Sequence, residues 1–216
     1  MAQTILITGA SEGIGFEIAK QAAASGAAIL MVARNEGRLR AAAEQINGSI
    51  RPEIAAVDLT DAEALERFLE SLDAKGYVPD VLVNNAGHGA SGAFADAEWG
   101  KLDAMLRLNM LALARLSHWA AQRMKAAGRG SIVNLSAAVA TRPTPWFAAY
   151  AASKAFVNNL SQAMDKELRP HGVAVSGASA SRSYKLCGGR EGRSALDPRA
   201  ETISFCVCVN RRPRGS

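Results

Sequence analysis

The sequence predicts an α/β fold: one doubly wound parallel sheet in a single three-layer domain, with strands in the order 3-2-1-4-5-6. Three observations carry this. Short β-branched apolar runs alternate with helical patterns from residue 3 to residue 176. The first run ends in a glycine-rich turn that opens directly into a helix. The chain has 216 residues, 49% of them hydrophobic and 21% charged, which suits one sizeable core.

The elements follow in order. Gln3 to Thr8 is a buried strand, stopped by Gly9. The turn Thr8-Gly-Ala-Ser-Glu-Gly-Ile-Gly15 leads into a helix over Phe16 to Ser25. Glycines there let a backbone approach a pyrophosphate, and the helix N-terminus supplies free N–H groups with a positive dipole end. Gly26 to Ala33 is the second strand, ending at Arg34-Asn35. An acidic residue about 20 positions past the glycine turn would hold the ribose 2′-OH of NAD. Arg34 stands there instead. With Ser11 and Arg38 it argues for the 2′-phosphate of NADP, against the plainer reading of a solvated arginine opening the helix Glu36 to Ile46. Glu12, inside the turn, is unhelpful to a phosphate.

Glu53 to Asp58 is the third strand, and Leu-Thr-Asp after it caps a helix over Ala62 to Leu72. Asp58 either accepts from an adenine amino group or serves as a turn residue. Asp80 to Val83 is the fourth strand, followed by Asn84-Asn-Ala-Gly87. Leu102 to Ala127 is a long helix with Asn109 in its middle, a position of poor helix propensity. Gly130 to Ser136 is the fifth strand, and a loop rich in Pro and aromatics (Ala137 to Phe147) follows it. A helix carries Tyr150 and runs to Leu168, and Gly172 to Ser176 begins the sixth strand.

Charge and cysteine mark one boundary. Residues 1–177 hold 17 basic and 17 acidic side chains and no cysteine, whereas 178–216 hold 8 against 3, with Cys187, Cys206 and Cys208. The formal net charge of +5 therefore belongs to the tail. A neutral, cysteine-free body argues against nucleic-acid binding, a disulfide framework or a cysteine metal site. His88, His118 and His171 have no metal-ligand spacing, so no metal is expected. No basic leader precedes the first strand, and no apolar run approaches the ~20 residues of a membrane span. A cytoplasmic location without membrane partners is the expectation.

Tyr150 and Lys154, four residues apart on a helix, share a face. A phenol with a pKa near ~10 is a poor acid or base at neutral pH. An ammonium one turn away favours the phenolate, so a lowered Tyr150 pKa is expected, and with it a proton exchanged with a substrate oxygen.

These motifs together resemble the short-chain dehydrogenase/reductase family, over about Thr4 to Gly177. The resemblance implies a Rossmann-like fold and hydride transfer between a nicotinamide and a carbonyl or alcohol carbon. It implies Tyr150 as general acid/base, Lys154 as its tuner and holder of the nicotinamide ribose, and Asn109 as anchor of a proton-relay water. Thr8, Gly9, Ser11, Gly13, Ile14 and Gly15 then hold the cofactor at the first turn. Asn84, Ala86 and Gly87 line the adenosine side with Asp58. The resemblance also implies a homodimer or higher homo-oligomer, with a dimer interface through the helices 102–127 and 150–168.

Two departures stand out. The family's carbonyl-polarising serine lies thirteen residues before the tyrosine, where this chain has Ala137, with Ser136 one position earlier. Either a longer loop brings Ser136 into the site or that hydroxyl is absent. Ala180-Ser181 also replaces the family's Pro-Gly, and the resemblance stops there. The dinucleotide-binding oxidoreductase domain is thus expected over 1–177. The tail 178–216 reads as an altered reading frame or a cloning scar, the alternative being a divergent but native C-terminus; it is expected to be poorly ordered, with strand-like alternation only at 202–209. The leading function is an NADP-dependent reductase or dehydrogenase of carbonyl or alcohol substrates, 3-oxoacyl thioesters among the plausible classes. The alternative is a member that binds cofactor without turnover.

Overall fold

The structure is a computed structural model and describes residues 2–179. The linker and the strand expected at 202–209 lie outside the described residues. Six parallel strands form one sheet in the order β3-β2-β1-β4-β5-β6, as the sequence predicts. They are β1 (Thr4–Thr8), β2 (Ala28–Ala33), β3 (Glu53–Ala56), β4 (Val81–Asn84), β5 (Gly130–Ser136) and β6 (Val173–Ser179). The helices are α1 (Gly13–Ala24), α2 (Glu36–Glu44), α3 (Ala62–Ala74), α4 (Trp99–Leu106), α5 (Leu113–Ala127) and α6 (Ala148–Leu168).

Alternation along each strand splits the core into two layers. Leu6, Leu30, Leu82 and Ile132 face one side, where they pack with Phe68 and Leu69 of α3 and Leu116, Trp119 and Met124 of α5. Ile5, Ile7, Met31, Val81 and Val83 face the other, against Ile18 and Ala19 of α1 and Leu39 of α2. At roughly 1.5–3 kcal/mol for each large apolar side chain buried, these layers are the main source of stability. Local caps set the helix starts: Asn35 accepts from Arg38 N for α2, and Asp61 accepts from Glu63 N and Ala64 N for α3.

The helix expected over 102–127 begins three residues earlier and is not uniform. A π-helical turn, Arg107–Ala112, separates α4 from α5 and contains Asn109. Such turns concentrate at functional sites, because the extra residue rotates side chains and loosens the backbone ladder. The register Asn84↔Asn134 on β4 and β5 brings the carboxyl ends of the central strands level, so the turns after β1, β4 and β5 converge on one edge.

Candidate active site

The first turn is built for close approach. A Cβ on Gly15 would meet Gly9 O at 2.3 Å, and one on Gly9 would meet Ala86 Cα at 2.9 Å. Gly13 differs: its φ is +58° and nothing lies within 4 Å of where a Cβ would be. The N-cap Glu12 makes no side-chain cap bond, so its carboxylate leaves the first-turn N–H groups of α1 to other acceptors. An open glycine face at a helix N-terminus uncapped by a side chain suits a pyrophosphate, so the residues present fit a dinucleotide.

Arg34 is exposed at the end of β2, and its charge helps hold the Asp58 carboxyl below the usual range. The larger cause is Thr60, whose hydroxyl and N–H both donate to Asp58 Oδ1, at 2.7 and 2.9 Å. Asp58 thus carries a turn while staying ionised. Arg38 pairs with Glu12 at 3.7 Å, linking the start of α2 to the glycine turn. Ser11 is partly buried in that turn.

Thr8 is buried, and its side chain joins the two turns rather than facing a cleft. Its Oγ1 accepts from Asn85 N and Ala86 N at 3.1 and 3.0 Å. Asn85, which sequence reasoning passed over, donates from Nδ2 to Thr8 O and Gly9 O, both at 3.0 Å. The expected role for the Asn84 side chain needs correction. It is 2% exposed and donates inward, to Ser117 Oγ at 2.9 Å and Asn134 Oδ1 at 2.8 Å. Among the described residues nothing donates to its Oδ1. Asn134 Nδ2 continues to Ser161 Oγ of α6 at 3.0 Å. The side-chain pattern places Asn84 under the helices because it continues the inward face of Leu82.

Gly87 sits where the pieces meet: a Cβ there would lie 2.9 Å from Asn109 Oδ1 and 3.4 Å from Lys154 Nζ. Asn109 is fully buried. Its Oδ1 accepts from His88 N at 3.2 Å, and its Nδ2 donates to His88 O at 3.0 Å and Ser153 Oγ at 3.2 Å. Ser153 Oγ donates in turn to Tyr150 O at 2.7 Å. The amide therefore clamps the loop after β4 to the first turns of α6. No sequence pattern marks Ser153 for this, since a buried serine inside a helix is ordinary.

Tyr150 is half-buried, and Lys154 Nζ lies 6.0 Å from its ring centroid. The expected lowering of the Tyr150 pKa is not what the structure gives: burial pushes it up. Burial also pushes the Lys154 ammonium down, to about 8. The reason is desolvation at both groups, with Lys154 Nζ donating to Leu135 O at 2.8 Å instead of to the phenol. Ser136, on the same strand face as Asn134, points into α6 and donates to Lys154 O at 3.2 Å. Ala137, one residue on, falls on the opposite side. Among the described residues no group of three or more His, Cys, Asp or Glu is placed to hold a metal.

The family model for short chain dehydrogenases matches residues 3–181. A very-long-chain 3-oxoacyl-CoA reductase of Podospora anserina is 31% identical over 180 residues, 79% of this chain and 52% of that protein. The chain thus spans about half the length of that relative. Among solved structures, a bulky-bulky ketone specific alcohol dehydrogenase from Comamonas testosteroni superposes with a TM-score of 0.78 at 36% identity, over 83% of this chain and 73% of that one. A metagenomic short-chain oxidoreductase in complex with NADP gives 0.77 at 36% identity, over 84% and 83%. A family-model match over residues 3–181, across most of the chain, makes this chain a member of the short-chain dehydrogenase/reductase family.

Proposed function

We propose that the chain is an NADP(H)-dependent oxidoreductase that reduces a ketone to an alcohol and catalyses the reverse. The observation that carries this is the convergence at Gly87: the glycine cradle reaches it through Ala86, and Asn109 and Lys154 reach it from the helices, beside Tyr150. A bound nicotinamide would supply the hydride. Thr8 and Asn85 shape the cradle, the N–H groups of Gly13, Ile14 and Gly15 would face its phosphates, and Arg34 would meet the 2′-phosphate. The two relatives named for substrates act on a 3-oxoacyl thioester and a bulky ketone, which share a ketone carbon.

The chain's own groups handle the proton. A phenol whose pKa is raised by burial is fully protonated at neutral pH, so Tyr150 serves as acid toward a carbonyl oxygen. As the proton leaves, the Lys154 ammonium is the nearby charge that stabilises the phenolate. Asn109 fixes the turn that carries Tyr150, through Ser153. Of the two alternatives for Ser136, its bond to Lys154 O favours the one in which the carbonyl-polarising hydroxyl is absent, the serine positioning α6 instead. Ala137 offers only a methyl, and a missing oxyanion donor costs on the order of 10² in rate. We therefore expect slow turnover.

We further infer that 1–177 is the working domain, located in the cytoplasm, and that it pairs with a second copy through α4, α5 and α6. No described helix is long and apolar enough to cross a membrane. The deciding experiment combines NADPH fluorescence binding with NADPH consumption across ketones, for the native chain and Tyr150→Phe. Binding in both with turnover only in the native chain is the expected result. Binding without turnover in either would make the chain a cofactor-binding member without catalysis. Equal turnover in both would remove Tyr150 from its role.

A further inference from the structure

Two loops meet beside Tyr150, on the side away from Lys154 and Asn109. Gly92 N donates to Trp146 O at 2.8 Å, joining the segment after β4 to the one before α6. They frame a shallow recess with about 30 Å³ of enclosed room, its walls formed by Ala90, Gly92, Phe94, Leu102, Trp146 and Ala149 among others, with no charged residue in its lining. Gly89 lies against the Tyr150 ring, 3.8 Å from the position of a Cβ, and the Phe147 ring is 6.5 Å from that of Tyr150. The recess therefore adjoins the proton donor.

Its aromatic residues are not packed away. Trp146 is 67% exposed, Phe94 61% and Phe147 38%. Trp146 is also the one non-glycine described residue with a positive φ, at 67°. An L-residue with a bulky side chain is disfavoured there by contact between Cβ and backbone. Burial does not repay that strain, because the indole stays largely in solvent. Strain and exposed apolar surface held together at the mouth of a site mark a contact made with a ligand.

We propose that this ledge takes the apolar group of the substrate: the compound reduced at Tyr150 is an uncharged ketone carrying an aromatic or similarly bulky substituent, which rests on Trp146 and Phe94. The inference rests on the reductase reading. Aromatic faces favour a stacked ring, and covering them removes apolar area from water. A lining without charge gives a carboxylate no partner to replace its lost hydration.

The test compares kcat/KM for propiophenone, butanone and pyruvate, using the full chain with NADPH. Propiophenone should lead both others by tenfold or more. Its advantage over butanone should fall about tenfold in Trp146→Ala and in Phe94→Ala, the loss of one buried ring face. Trp146→Phe, which restores a ring, should keep most of it. Having two separate alanine variants guards against one that fails to fold. Equal kcat/KM for the three compounds, a lead for pyruvate, or an advantage untouched by both alanine variants overturns the proposal. If no ketone is turned over, the reductase reading falls and binding decides the ledge. Quenching of tryptophan fluorescence by propiophenone that Trp146→Phe removes supports it, and absence of quenching in the native chain overturns it.

Discussion

Lys154 is nearly inaccessible and holds one carbonyl, so its charge is the costliest in the site. Its folded pKa of about 8 lies below the ordinary 10.5. Between those values the unfolded chain binds more protons than the folded one, so stability rises with pH across that window. Below about 8 both states are protonated and the penalty is present in full. Thermal melts of the cofactor-free protein against Lys154→Met should therefore differ most below pH 8 and converge toward pH 10.5. A difference independent of pH would mean that the ammonium is not desolvated. Arg34 offers a second residue-level test. Arg34→Asp should weaken NADPH binding at least tenfold and leave NADH equal or tighter, since a carboxylate repels a 2′-phosphate and accepts from a 2′-OH. Equal affinities before and after would remove Arg34 from cofactor choice. At this scale spacing singled out the Tyr150–Lys154 pair and the place of Arg34, poor helix propensity singled out Asn109, and the roles of Tyr150, Lys154 and Asn109 came only with the family resemblance. The sequence did not announce the directions of the two pKa shifts, because desolvation depends on what lies above the helix face. Nor did it place Asn85, whose Nδ2 bonds backbone atoms of another turn, or Ser153, which answers Asn109 from a distant helix.

At the scale of the elements, the first turn and the broken helix respond differently to substitution. Gly15→Ala forces a methyl to within 2.3 Å of Gly9 O, against backbone that cannot move without pulling on Asn85. Gly13→Ala meets open space and carries only the strain of φ +58°, about 1 kcal/mol. Chemical denaturation should rank Gly15→Ala as the more destabilised by several-fold, with NADPH binding lost in it. Equal losses would mean that conformation rather than contact governs this turn. The π turn was not legible in sequence, because a π turn is one inserted residue inside an otherwise continuous helical pattern. The poor propensity of Asn109 was the trace it left. The strand positions, by contrast, were legible to within two residues at β1, β2, β4 and β5, since each apolar run ends in a turn residue.

For the molecule as a whole, the β–α rhythm and the glycine turn after the first strand were enough to fix a sheet with β1 at its centre and the site at the strand ends. The pairing of copies proposed above is a question of surface rather than rhythm. Trp99 and Leu111 stand 68% and 61% exposed on the broken helix, away from the core. If that face joins two copies, Leu111→Asp should convert a dimer to a monomer in sedimentation velocity. An unchanged sedimentation coefficient would place the interface elsewhere, or deny it.

The amide ladder from Asn84 through Asn134 to Ser161 has a consequence for how such a chain reaches its fold. The two asparagines sit opposite each other only in one register, and they come from segments separated by the whole of α4 and α5. A slip of one residue between β4 and β5 would turn one of the two amides to the other face, among the apolar side chains under α1, and part the pair. A helix α6 displaced by one turn would leave Asn134 without Ser161. Misaligned sheets are thus penalised by stranded polar groups as well as by lost apolar contact. Assembly that is compact but wrong stays high in energy and open to correction, and Tyr150 arrives at the cleft only when the strands beneath it are in register.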